Sequence, residues 1–112
     1  MAFQVIHAAP GLSERARRHA HRSGPWAVSS RHAPDELMRR AGFVDIDVVD
    51  QTKEFRTTAA AWIREWDATR DELVTLYGEA EFDRRQRARS AQLRAIDDGL
   101  LQRSLVRGRR AP

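Results

Sequence analysis

The chain has no cysteine, and a single lysine, Lys53, stands beside nineteen arginines. Without thiols there is no disulfide framework, no thiolate metal ligand and no cysteine nucleophile. That composition fits a reducing compartment without requiring one. The six glycines, at 11, 24, 42, 78, 99 and 108, never stand two apart. Neither the dinucleotide fingerprint G-x-G-x-x-G nor a P-loop can therefore be written. No apolar run nears the roughly 20 residues of a membrane span. The opening MAFQVIHAAPGLSERARR has no basic region ahead of its short apolar run, so it does not read as a secretory signal. Ser13, Ser29 and Ser30 lack the strand–turn–helix setting of a hydrolase nucleophile. What remains is a soluble, cytoplasmic chain with no membrane partner.

A length of 112 residues allows one domain, and 41% hydrophobic residues supply one core but not a large enzyme with a buried cleft. The net charge is +4, unevenly placed. Residues 13–32 and the tail from Arg103 are basic, and the middle is acidic. The arginine bias is what codon usage in a GC-rich genome gives. The run RRQRARS at 84–90 suggests nucleic acid at first sight, but the helix around it, 79–98, holds five arginines and five acids. Glu81 with Arg85 and Asp83 with Arg87 have the acid-first i, i+4 spacing of a self-paired, solvated face. Nucleic acid is not expected as a partner.

Along the chain, AFQVIH at 2–7 reads as a mostly buried strand ended by AAPG. SERARRHAHR follows as a short polar helix with Ser13 as N-cap, and then a loop that Trp26 and Val28 pin to the core. APDELMRRAGF is a complete capped helix. Pro34 stands at its first position, acids lie at its start and arginines at its end, and Gly42 takes the left-handed conformation beyond it. Leu37, Met38 and Ala41 form its buried stripe. In the strand after it, Val44, Ile46 and Val48 alternate with Asp45, Asp47 and Val49, so one face is buried and the other is a wet, charged edge. A helix from about Thr57 to Tyr77 carries Trp62, Trp66, Leu73 and Leu76 on one stripe and stops at Gly78. A second, from about Ala80 to Asp98, carries Phe82, Leu93 and Ile96. LLQRSLVRGRR closes the chain as a strand with a frayed basic end. The order is β, α, β, α, α, β, without internal repeats.

Few residues in this pattern carry chemistry. His19 and His21 form H-x-H without a third ligand, so no metal site is assigned. His7 ends the first strand, where open α/β sheets place ligands, although a lone histidine there is more often structural. Trp62 and Trp66 suit a core more often than an aromatic ligand wall. No catalytic residue can be named from the residues alone.

LMRRAGFVDIDVVD resembles the late helix–Gly–Phe–strand unit of the class I S-adenosylmethionine-dependent methyltransferases, small-molecule type. VIHAAPGLS is similar to their fifth strand and its loop, TKEFRTTAAAWIREW to the helical insertion after the sixth strand, and DGLLQRSLVRGRR to the closing seventh strand. The resemblance covers nearly the whole chain. It implies an α/β fold, a partial Rossmann-like sheet with equivalents of strands 5, 6 and 7, the last antiparallel, plus a two-helix insertion. One partial domain would divide into strand–helix–strand (1–56), insertion (57–98) and closing strand with basic tail (99–112). The family's cofactor, S-adenosylmethionine, sits on a glycine loop and an acid that no position here matches, so this chain alone is expected to bind no cofactor and to be inactive, as part of a split or truncated enzyme. The insertion covers the acceptor in that family, which makes Trp62, Trp66 and Tyr77 substrate-binding candidates for a small molecule, with His7 at the ligand edge. The free edge left on the first strand implies a homodimer, or a partner chain supplying the cofactor half. The alternative is a non-enzymatic dimeric binding or assembly module built on the same fold.

Overall fold

The computed structural model describes residues 1–24 and 33–112, so the expected roles of Trp26, Val28, Ser29 and Ser30 lie outside the described residues. The elements are β1 (Ala2–Ala8), α1 (Glu14–Ser23), α2 (Pro34–Arg40), β2 (Phe43–Asp50), α3 (Thr52–Ala68), α4 (Arg70–Tyr77), α5 (Glu79–Asp97) and β3 (Leu101–Arg110). The strands form one sheet in the order β1-β3-β2, with β3 antiparallel to both neighbours. This is the order 5-7-6 with a reversed last strand, as the resemblance implies.

The last strand in sequence is central in space, which explains its burial. Leu101 and Val106 are fully buried, each removing a side chain worth about 1.5–3 kcal/mol of apolar transfer. Its basic end is not frayed: the strand runs to Arg110, and Arg107 and Arg109 pair with Asp47 and Asp45 across β2. β1, expected to be mostly buried, is only half-buried, because it has a neighbour on one side alone.

Strict alternation in β2 is broken by a bulge. Val44 pairs with Arg109 and Asp47 with Arg107, leaving Asp45 and Ile46 opposite Gly108 alone. The extra residue puts Val44 and Val48 on opposite faces, so the expected stripe of Val44, Ile46 and Val48 does not form, and Val48 is 44% exposed. Gly108 is required here: a Cβ would lie 2.8 Å from Met38 Cε and 3.4 Å from Ile46 Cγ1. In α2, Met38 and Pro34 are the buried residues. Leu37 and Ala41 are exposed, contrary to expectation, since the short helix meets the sheet mainly through Met38.

The main core lies at the opposite end of the sheet. Phe55, Ala95, Ile96, Leu101 and Ala20 of α1 pack there. Ser13 caps α1 as expected, its Oγ accepting from the Ala16 N–H at 3.1 Å. The helix expected from Thr57 starts five residues earlier, at Thr52, and breaks at Thr69. There the Thr69 hydroxyl donates to the Glu65 carbonyl at 2.9 Å, the same bond that Thr57 and Thr75 make inside unbroken helices. No glycine or proline marks the break. Gly78, at φ 87°, then reverses the chain into α5. Arg70 bridges to Glu79 and Asp83 across that turn. Asp83 is thus held by Arg70 rather than by Arg87, the partner its spacing suggested. Among the described residues, no helix is long and apolar enough to cross a membrane.

Candidate functional site

Because β1 and β2 both run antiparallel to β3, their carboxyl ends share one edge of the sheet. A cavity of about 630 Å³ opens there, lined by Phe3, Val5, His7, Val48, Asp50 and Ser104 on the sheet and by Pro34 and Leu37 of α2. Leu37 and Val48, both expected in a core, instead supply apolar cavity wall.

The polar groups in this cleft are tightly engaged. His7 Nδ1 lies 2.9 Å from the Ala8 carbonyl, which can only accept, so Nδ1 carries the proton. Nε2 therefore accepts from the buried Ser104 hydroxyl at 2.8 Å. Both ring nitrogens are occupied, so His7 braces β1 against β3 at the carboxyl end of β1. Across the strand, the Asp50 Oδ1 accepts from the Thr52 N–H at 2.9 Å and from the Thr52 hydroxyl at 2.5 Å. These donors hold the Asp50 carboxyl below its ordinary range. The Asp-x-Thr spacing thus starts α3 directly from the end of β2. The second Asp50 oxygen has no hydrogen-bond partner among the described residues.

The other candidates lie on the helical hairpin, and none of them lines this cavity. Trp66 stacks on Tyr77 (5.9 Å, 12°) and on Phe82 (5.8 Å, 27°). Trp62, expected on the same buried stripe, is 52% exposed, and Leu76 is 71% exposed, because the hairpin extends beyond the sheet that would cover them. Arginines fill the gaps. Arg89 lies 3.9 Å above the Trp66 ring and 5.8 Å from Trp62, and Arg85 lies 4.5 Å from Tyr77 and 5.9 Å from Trp66. The result is a cluster of rings and arginines, in which Arg89 contacts Trp62 and Trp66 and Arg85 flanks the direct stack of Trp66 on Tyr77. The structure thus joins Trp62, Trp66 and Tyr77 and keeps His7 apart. Sequence reading missed Ser104, Asp50, Arg85 and Arg89. The i, i+4 spacing of Trp62 and Trp66, set against that of Arg85 and Arg89, carried the signal for the last two.

Gly11, Gly42, Gly78 and Gly99 each form an isolated turn of positive φ. None of the four is part of a G-x-G pair.

No protein-family model matches the chain, and no curated protein matches it. Among solved structures, the chain is similar to Haemonchus contortus phosphoethanolamine N-methyltransferase 2 in complex with phosphomonomethylethanolamine and S-adenosylhomocysteine. The TM-score is 0.78 at 15% identity, over 99% of this chain and 26% of that one. The same enzyme in complex with S-adenosyl-L-methionine gives a TM-score of 0.79 at 14% identity, with the same coverage. The fold is therefore that of part of a methyltransferase, and the chain spans about a quarter of the length of those enzymes.

Proposed function

We propose that this chain forms the acceptor side of an S-adenosylmethionine-dependent methyltransferase whose cofactor-binding part lies outside these 112 residues, on further sequence or on a partner chain in the cytoplasm. The observation that carries this reading is the β1-β3-β2 order with a reversed central strand, superimposing over 99% of the chain on a methyltransferase bound to S-adenosyl-L-methionine. In this reading the cleft beside His7, Asp50 and Ser104 and the ring cluster of the hairpin form the acceptor's surroundings. They bind and orient a small-molecule acceptor, and positioning of this kind accounts for much of the rate in a group transfer. The chain alone is inactive. Calorimetric titration of S-adenosylmethionine into the pure protein tests this directly. No heat of binding is expected at micromolar concentrations, and micromolar affinity would overturn the assignment.

A second reading, a non-enzymatic dimeric module, is favoured by one observation: among the described residues, β1 has no neighbour on its outer, apolar edge. Native mass spectrometry of the protein from its host separates the two. A heteromer with a glycine-loop protein supports the enzyme, and a homodimer supports the module.

A further inference from the structure

Two arginines on one face of α5 stand one turn apart, and their charges are unequally answered. Glu81 accepts from Arg84 at 2.6 and 3.0 Å and from Arg85 at 2.8 Å, and these guanidinium bonds pull its carboxyl down to about 2. One carboxylate thus serves two cations, and none among the described residues serves Arg89. The nearest acceptor to Arg89 is the neutral Gln86 Oε1, at 3.5 Å. Burial, and then the neighbouring Arg85, lower the Arg89 pKa, so this half-buried cation is held where an added negative charge would stabilise it.

Arg89 Cζ lies 3.9 Å from the Trp66 ring centroid, a cation–π contact. Beyond its long bond to Gln86, the guanidinium has further N–H donors in the forked arrangement that matches a carboxylate. Flat apolar surface adjoins it at Trp62, whose ring lies 5.8 Å from Arg89 and is 52% exposed. A purely structural cluster would bury its rings. This one leaves Trp62 open beside a cation that no carboxylate among the described residues answers.

We propose that Trp62, Arg89 and Trp66 form a binding site for a flat organic acid, whose carboxylate pairs with Arg89 and whose body lies against Trp62. The site deepens the reading of the hairpin as acceptor cover by naming the acceptor's chemical class, and it rests on that reading only for the word acceptor. Binding itself is measurable on this chain without any methyl donor, so failure here leaves the cofactor titration untouched.

The test follows indole N–H and arginine Nε–H resonances by NMR while sodium benzoate is added, with sodium chloride and inorganic phosphate in parallel. Saturable shifts of the Trp62, Trp66 and Arg89 signals with benzoate are expected at about millimolar concentration, the range open to so small a ligand. Arg89→Gln should weaken binding about tenfold, the worth of a charge-assisted pair. Arg89→Lys keeps the charge, loses the fork and should also weaken it, which guards against a Gln variant that does not fold. Arg94→Gln, which lies beside a different groove between α3 and α5, should change nothing. Shifts that match chloride, phosphate binding without benzoate binding, or benzoate affinity unchanged in both Arg89 variants would each overturn the proposal.

Discussion

The two edges of the sheet are built differently. On β1, Met1 and Gly108 exchange both backbone hydrogen bonds, at 2.8 and 3.0 Å, and the Ala9 N–H donates to the Leu100 carbonyl at 2.9 Å. Together with the register, these bonds turn residues 3, 5 and 7 inward and leave the backbone groups of Ala2, Gln4, Ile6 and Ala8 on the outer edge. No charge, proline or bulge interrupts that edge. On β2, the register shifts at Asp45 and Ile46, Asp45 adopts φ 52°, and Asp45 and Asp47 hold arginines of β3. Bulges and charges are the devices that stop a strand from pairing further. Among the described residues, one edge is closed by these devices and the other has no neighbouring strand.

The largest effect should come from closing the open edge. Gln4→Pro removes an outward N–H without touching a bond to β3, since only the inward residues donate there. We expect the wild-type chain to associate at low micromolar concentration and the proline variant to sediment as a monomer, with an unchanged circular dichroism spectrum. A wild-type chain that sediments as a monomer would show that the β1 edge is satisfied in another way.

A smaller effect follows from opening the closed edge. Asp45→Val forces a β-branched residue into left-handed backbone and should destabilise the fold by about 1–2 kcal/mol. Asp45→Gly adopts that backbone freely and loses only an exposed ion pair with Arg109, so its change should stay within about 1 kcal/mol. Urea denaturation of the two variants separates backbone from charge. Equal losses would mean that the ion pair, not the bulge, shapes this edge.

The contrast also shows which parts of the fold a sequence can disclose. Gly42 was legible as a helix stop, and its φ of 89° is the conformation its place beyond Arg40 demands. The capped α2, the strands and their order were legible for the same reason, because each is signalled by residues close together in sequence. The bulge was not, since its cause is Gly108 on another strand, more than sixty positions away. The break at Thr69 was hidden because no glycine or proline marks it. Of the candidate site, the aromatic residues were legible but their partners were not. Arg85 and Arg89 looked like members of a solvated charged face, and only the packing of α3 on α5 puts them against rings. His7 was legible at the end of the first strand, whereas its lock on Ser104 depends on the pairing of β1 with β3.

The smallest expected effect concerns the end of the closed strand, where a charge again does the work. Asp50 finishes β2 and starts α3 through its two bonds from Thr52, and these hold its pKa below the ordinary carboxylate value. A carboxyl with a depressed folded pKa contributes stability that is complete above its unfolded pKa, near 3.8, and is lost as pH falls through the lower folded value. Asp50→Asn keeps an oxygen that can accept both Thr52 bonds but removes the charge. The variant should therefore be slightly less stable than wild type at pH 7, and the gap between their urea midpoints should close on acidification from about pH 4 downward. Because Asp50 is exposed, the gap should be small and shrink further in high salt. A gap that persists unchanged to pH 2 would assign the contribution of Asp50 to hydrogen-bond geometry and not to its charge.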